Sequence, residues 1–161
     1  MTPLRYGVLP PDGPNDLTGL ELMRGILEGR FPQAPVCEAG HFRLQMVDEG
    51  IVAFVGTPKA DFYNPLGTVH GGWISMLLDS CMSCAVHTRV PRGHAYTTVE
   101  LKVNFVRPPF EKTGEMRAEG RVIHMGARIA TAEGRLVDAA GKLYAHGTVT
   151  CMVFPMPAAK T

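Results

Sequence analysis

The stretch Asn64–Ser80, NPLGTVHGGWISMLLDS, contains a single formal charge, and Asp79 remains the only charged residue between Asn64 and Val86. Apolar residues recur at helical spacing beyond the Gly-Gly pair, which predicts a helix from about Gly71 to about His87. A carboxylate in an apolar helix is costly unless it is paired, hydrogen-bonded or protonated. Asp79 therefore needs either a structural partner or a chemical role.

The predicted helix has two uncharged faces. At ~100° per residue, one stripe should face a sheet, and it consists of Ile74, Leu77, Leu78, Cys81 and Ala85. Asp79 lies on another face, with Gly72, Ser75, Met82, Ser83 and Val86. The solvent-exposed side of a helix normally carries Lys, Glu, Arg or Gln. We therefore expect this second face to be buried against a partner subunit.

The start of the helix offers a second chemical group. The Gly-Gly pair lies in the first turn, where backbone N–H groups are unpaired, so Gly71 is a candidate donor to a developing oxyanion. A tight turn that only glycine permits is the alternative reading. Gly71 and Asp79 are separated by ~12 Å along a helix axis, too far to act on one carbonyl from the same chain. If they cooperate, two subunits must meet about a two-fold axis.

The rest of the chain predicts strands on both sides of this helix. A short helix is expected within residues 16–32, capped by Asp16 and ended by Pro32 and Pro35, and a β-hairpin at about 41–48 and 51–57. Residues 94–108 should form a strand with Val99, Leu101, Val103 and Phe105 on one side, and three more strands follow within 114–126, 127–141 and 142–155. The order indicates an α+β fold, an antiparallel sheet packed on the central helix.

Composition limits the class of protein. The chain has 161 residues, 45% hydrophobic and 19% charged, which suggests one domain with some surface buried against other subunits. The net charge is +1 and the basic residues are scattered, which argues against binding to nucleic acid or to an anionic membrane. No segment resembles a signal peptide or a membrane span, so we expect a cytoplasmic location. The Cys81–Cys84 pair lies inside the helix and predicts reduced packing thiols, not a redox or metal site.

Three segments together resemble a known family. NPLGTVHGGWISMLLDS, TTVELKVNFVRPP and GKLYAHGTVT are similar to the hotdog-fold acyl-CoA thioesterases of the phenylacetic-acid-degradation (PaaI-like) type. The shared pattern is N-x-x-G-x-x-H-G-G with an acid eight residues beyond the first glycine of the pair. The resemblance covers residues 40–154 and leaves 1–39 as an N-terminal arm with a short helix and 155–161 as a tail.

The resemblance implies a fold, a reaction and a set of residues. It implies a long central helix wrapped by a curved antiparallel sheet, in homodimers that commonly pair into tetramers. The implied reaction is hydrolysis of an acyl-CoA thioester at the dimer interface without metal or organic cofactor. The implied catalytic residues are Asp79 as general base or nucleophile, Gly71 as oxyanion donor, Asn64, Thr98 (or Thr97) and His70, the last mainly structural. Substrate contacts are assigned to Gly72, Trp73, Arg107, Gly126 and Arg128.

Alternatives stay open for the function and for three of these residues. A non-catalytic acyl-CoA-binding hotdog protein, acting as a sensor or scaffold, is the main one, although a binder has no need of Asp79. For Trp73 the alternative is a place in the core, and for Arg107 and Arg128 it is the solvated ends of strands. The sequence does not separate aryl from short-to-medium alkyl acyl groups, or nucleophilic from general-base chemistry.

Overall fold

The computed structural model describes residues 4–10, 13 and 16–156. The fold is built on one long helix held in a curved antiparallel sheet, with two shorter helices before it in the chain. The helices are α1 (Gly19–Leu27), α2 (Pro35–Ala39) and α3 (Gly71–His87). The strands are β1 (Phe42–Asp48), β2 (Ile51–Gly56), β3 (His94–Phe105), β4 (Met116–Met125), β5 (Ile129–Asp138) and β6 (Leu143–Pro155). The sheet has these six strands in the order β1-β2-β4-β5-β6-β3, and every pairing is antiparallel. The predicted α+β hotdog architecture is confirmed.

The local predictions around α3 and the turns are also confirmed. Helix α3 begins at Gly71 and ends at His87, as its pattern of apolar residues predicts. The hairpin β1–β2 turns at Gly50, where φ is +75°, and β5 connects to β6 through Gly141, where φ is +78°. Glycine adopts these left-handed conformations at little cost, so both turns follow from sequence chemistry. Thr88 joins the first turn to α3, because its hydroxyl accepts from Gly50 N–H and donates to Ala85 O.

Two neighbouring glycines in the sheet let α3 approach closely. Gly120 on β4 faces Gly134 on β5. A Cβ on Gly120 would overlap the backbone carbonyl of Cys81, and one on Gly134 would lie 2.6 Å from Met82 Cγ. These two glycines therefore form a groove in which the middle of α3 lies. This groove sets the depth at which the helix, and with it Asp79, sits in the sheet.

Gly120→Ala is expected to lower the free energy of unfolding by about 3 kcal/mol, because the added methyl meets helix backbone that cannot move aside. Gly134→Ala is the comparison variant: its methyl meets the Met82 side chain at Cγ, and about 1 kcal/mol is expected because a side chain can shift where helix backbone cannot. Urea unfolding of both variants measures the difference. If the free energy of unfolding falls equally in the two variants, the groove does not determine how deeply the helix lies in the sheet.

Two predictions near the N-terminus are corrected by the structure. Thr18, not Asp16, caps α1: its hydroxyl accepts from Glu21 N–H, and the Glu21 carboxylate accepts from Thr18 N–H in return. Pro35 does not simply stop a helix but begins α2, where it occupies the first turn. Proline suits that position because its missing N–H has no helical partner there.

The outer face of α3 is covered differently from the prediction. Met82, Ser83 and Val86 are buried within the same chain, whereas a partner subunit was expected to cover them. The curved sheet and the N-terminal segment enclose the last turns of the helix. A helical wheel shows only which residues share a face of one helix, so it cannot show this cover. Only the first part of this face remains open, and it includes Gly72, Ser75, Met76, Asp79 and Ser80.

Strand β3 also departs from its predicted alternation. A bulge between Thr98 and Glu100 inserts Val99 as an extra residue against β6. Val99 is 54% exposed and leaves the face that strict alternation would have it share with Leu101 and Val103, whereas Phe105, 56% exposed at the end of the strand, stays on that face and packs over the start of α3. The bulge shifts the pleat by one residue, and Thr98 comes to lie on the same side as α3.

Candidate active site

Helix α3 begins with a backbone amide that is free to bind a ligand. The His70 ring caps the helix, since its Nδ1 accepts from Gly72 N–H at 2.9 Å. Gly71 N–H has no hydrogen-bond acceptor within the described part of the chain. The helix macrodipole adds positive potential at this amide. His70 therefore holds the helix start in shape, as expected, and leaves the Gly71 amide available to an anionic or polarised oxygen.

Asp79 has a hydrogen-bond donor on the neighbouring strand. Thr98 Oγ1 donates to Asp79 Oδ1 at 3.0 Å, and this contact joins the middle of α3 to β3. The Val99 bulge makes the contact possible by turning Thr98 inward. Thr97, the other threonine considered, is exposed and does not make this bond. Of the two threonines, Thr98 is therefore the one whose hydroxyl contacts the Asp79 carboxylate.

Asp79 combines partial exposure with a lack of cationic partners. It is half-buried, and no Lys, Arg or His side chain lies within ion-pairing distance of it among residues 4–10, 13 and 16–156. Thr98 engages Oδ1, and Oδ2 has no hydrogen-bond donor among the described residues. A carboxylate that is oriented on one oxygen and open on the other can accept a proton from a water molecule or attack a carbonyl.

Asn64 shapes the loop that leads into α3. Its Nδ2 donates to Thr68 Oγ1 at 2.8 Å, and its Oδ1 accepts from Leu66 N–H at 2.9 Å. These bonds close the Asn64–Thr68 loop just before the His70 cap. In this structure the Asn64 side chain acts on the loop backbone, and any contact to a substrate would use its second amide hydrogen.

Trp73 and Gly72 occupy different environments. Trp73 is 2% exposed, and its indole N–H donates to Gly40 O at 2.8 Å. It packs beside Phe62, with ring centroids 6.4 Å apart. Of the two readings of Trp73, the structure favours the core residue over the wall of an acyl pocket. Gly72 is exposed beside the His70 ring, on the open part of the helix face.

The two arginines expected near coenzyme A lie at opposite ends of β6. Arg107 sits over the Tyr144 ring at 5.7 Å, beside the start of the strand. The Arg128 carbonyl accepts from Val153 N–H, close to the end of the strand. Nine residues of strand separate Tyr144 from Val153, which corresponds to ~30 Å. Gly126 lies in the turn with Arg128. Arg107 and the Gly126–Arg128 turn of one chain therefore cannot contact one small group together.

The four cysteines are free thiols in apolar surroundings. Burial raises the pKa of Cys84 to about 12, and burial also raises the pKa of Cys81 well above its usual value. Thiols of this kind are poor nucleophiles at neutral pH. In the described segments, no cluster of three or more His, Cys, Asp or Glu side chains is arranged to hold a metal ion. None of the helices described there combines the length and hydropathy of a membrane span.

Phe105 is a residue of the site that the sequence did not indicate. A Cβ on Gly71 would lie 3.1 Å from the Phe105 ring, so the end of β3 packs over the start of α3. In the sequence Phe105 appears only as the last apolar residue of an alternating strand. No local sequence pattern distinguishes a side chain that packs against the first turn of a helix from one in the core.

The part of the chain that contains α3 and β3 is similar to known proteins. The model of the family described as "Thioesterase superfamily" matches residues 66–145, which include α3, β3, β4 and β5. A protein of Halobacterium salinarum that carries an esterase name is 31% identical over 84 residues, 51% of this chain and 54% of that protein. The chain thus spans about half the length of this curated relative.

Solved structures match over more of the chain. A phenylacetic acid degradation-related protein from Ralstonia eutropha superposes with a TM-score of 0.73 at 28% identity, over 81% of this chain and 98% of that one. A single-residue variant of the phenylacetic acid degradation protein PaaI from Thermus thermophilus gives a TM-score of 0.66 at 28% identity, over 73% and 97% of the two chains. AziG of S. sahachiroi, at 24% identity and a TM-score of 0.73, shares the fold.

Proposed function

We propose that this member of the thioesterase superfamily, a hotdog protein of the PaaI-like type, hydrolyses acyl-CoA thioesters at a site shared by two subunits. The observation that carries the proposal is the half-buried Asp79, held by Thr98 through one oxygen and without a cationic partner in the described residues. A structural acid would be expected to have both oxygens satisfied. Asp79 keeps one oxygen available to react.

The proposed reaction uses water as its only co-substrate. Asp79 takes a proton from the water that attacks the thioester carbonyl, and the C–S bond breaks to release the carboxylic acid and CoA thiol. Direct attack by Asp79 would give a mixed anhydride, which water then hydrolyses to the same products. In both cases the Gly71 N–H stabilises negative charge on the carbonyl oxygen. No metal or organic cofactor is required in this scheme.

The proposal needs a second copy of the chain, because Asp79 and the Gly71 of its own helix are ~12 Å apart. Two features support such a dimer. The open part of the α3 face carries small residues and one acid, without the long charged side chains of a solvent-exposed helix. Strand β3 is an edge strand of twelve residues with Val99 and Phe105 exposed, and such an edge can pair with another strand.

The contacts along β3 suggest the register of that pairing. Thr98 marks the position of Asp79 along the strand, and Phe105 marks the position of Gly71. A two-fold axis that brings Gly71 of one chain to Asp79 of the other should place residue 98 of one strand near residue 105 of its partner. The centre of an antiparallel β3–β3 pair would then lie close to Leu101 and Lys102. Pairs of such dimers would give the tetramer that the resemblance implies.

Thiol release from a panel of acyl-CoA esters tests the proposed activity. We expect turnover of at least one aryl or short-to-medium alkyl ester by the unmodified protein, without added metal and in the presence of a chelator. The acyl-CoA ester without the protein and the matching oxygen ester serve as controls for non-enzymatic thiol release and for general esterase activity. Saturable binding of the same CoA esters with no thiol release would favour the alternative, a non-catalytic acyl-CoA-binding protein.

A further inference from the structure

A cavity lies beyond the end of α3, between the helix and the N-terminal segment. Its volume is about 240 Å³, and its walls in the described part of the chain include Leu17, Leu22, His87, Ala95, Tyr96 and Met156. We call this cavity the N-terminal pocket. An apolar cavity of ~150 Å³ holds a benzene ring, so the N-terminal pocket has room for one ring or several methylene groups.

Helix α1 is fixed firmly enough to serve as a wall. Gly19 N–H donates to Val90 O at 3.0 Å, and a Cβ on Gly19 would overlap the His87 carbonyl, so α1 begins in direct contact with the end of α3. Arg92 and Glu21 form an ion pair at 3.0 Å across the same junction. The capping box of Thr18 and Glu21 fixes the first turn of α1. The pocket is therefore bounded by ordered secondary structure on the side of Leu22.

The pocket lies on the same seam between α3 and β3 as Asp79. His87 follows Asp79 by eight residues, ~12 Å along the helix. On the strand, Tyr96 precedes Thr98 by two residues, ~7 Å, and points to the same side. The side chain between Asp79 and His87 on this side of α3 is the small Ser83. The pocket thus lies on the same seam as Asp79, beyond the buried Ser83 and away from the Gly71 of the same chain.

The lining of the pocket suits an uncharged group. No Asp, Glu, Lys or Arg is among the described residues that line it. His87 stacks near Tyr96, with ring centroids 4.8 Å apart, and burial lowers the pKa of His87 to about 4. The imidazole is therefore neutral at physiological pH. His94 is the other imidazole of the lining, and the described lining residues include no Lys or Arg to pair with a charged tail, such as the second carboxylate of a dicarboxylic acid, which would be costly to desolvate.

We propose that the N-terminal pocket receives the distal end of the acyl group, an uncharged ring or a medium-length alkyl chain, and determines acyl selectivity. This inference rests on the proposed thioesterase function and adds its substrate class. Leu17, Leu22 and Met156 lie outside the region matched by the family model, residues 66–145, so this wall is supplied by parts of the chain that the general match does not cover.

Leu22→Trp tests the pocket by filling it. We expect kcat/KM for octanoyl-CoA and phenylbutanoyl-CoA to fall by about tenfold or more, since the displaced methylene groups each contribute to binding. For propanoyl-CoA, whose chain ends before the pocket, a change of less than about twofold is expected. Leu27→Trp is the matched control, because Leu27 lies on the same helix, is 40% exposed and does not line the pocket.

Leu22→Ala and a binding measurement complete the test. Leu22→Ala enlarges the pocket and should shift the preference toward longer chains, such as dodecanoyl-CoA. In an Asp79→Asn background, Leu22→Trp should weaken binding of octanoyl-CoA while leaving binding of CoA unchanged, as measured by calorimetry. An unchanged ratio of octanoyl to propanoyl activity in both Leu22 variants would overturn the inference. So would an equal loss in Leu27→Trp. Absence of all hydrolysis in the unmodified protein would instead refute the proposed function.

Discussion

Asp79→Asn is expected to lower kcat for acyl-CoA hydrolysis by ~10²–10⁴, the usual contribution of a general base. Asparagine has nearly the same shape, and its Oδ1 can still accept the hydrogen bond from Thr98 Oγ1. The substitution therefore removes the ability to take a proton or to attack while it preserves the contact between α3 and β3. Initial rates of thiol release under substrate saturation measure the effect.

Thr98→Val separates the chemistry of Asp79 from its positioning. It removes the hydroxyl that donates to Oδ1 and leaves the carboxylate in place. We expect a smaller loss, about tenfold in kcat, because the acid is less well oriented but still present. Thermal unfolding of both variants shows whether the fold is retained. Near-normal turnover of a folded Asp79→Asn protein would remove Asp79 from the mechanism.

Gly71→Pro is expected to lower kcat by ~10²–10³, the cost of losing one oxyanion donor. The substitution deletes the backbone N–H, and proline is well tolerated at the first position of a helix. His70, at φ −62° and ψ 138°, already has the extended conformation that a residue before proline requires. The helix should therefore form normally, and the lost group is the one amide that the account assigns to the carbonyl oxygen.

Gly71→Ala is the control for the bulk of the new side chain. It introduces a Cβ 3.1 Å from the Phe105 ring but keeps the N–H. Because Phe105 is 56% exposed, its ring can move aside, and we expect a loss of less than about tenfold. Similar losses in Gly71→Ala and Gly71→Pro would show that crowding at Phe105, not the missing donor, reduces the rate.

Much of the fold follows from local patterns in the sequence. Apolar periodicity gives the bounds of α3, and the Glu49–Gly50 and Gly141 turns give the hairpin and the β5–β6 connection. These features depend on residues close together in the chain. The positions of Asp79 and Gly71 on α3, and the distance between them, follow from helix geometry alone.

Other features could not be read from local patterns because they depend on distant contacts. The bulge at Val99 arises from pairing between β3 and β6, so strict alternation assigned the wrong face to Val99. The burial of Met82, Ser83 and Val86 comes from the curvature of the sheet and from α1. The N-terminal pocket combines Leu22 with Tyr96 and Met156, which are far apart in the sequence. The contact between Thr98 and Asp79 was expected only through the family resemblance.

Mixed dimers of Asp79→Asn and Gly71→Pro chains test whether Asp79 works with the Gly71 of the other subunit. A two-fold dimer that contains one chain of each kind has one site with both defects and one site with neither. Heterodimers purified through two different affinity tags should recover about half of the activity of the unmodified protein, although each parent is nearly inactive. Activity of the heterodimers no higher than that of the parents would contradict the shared site.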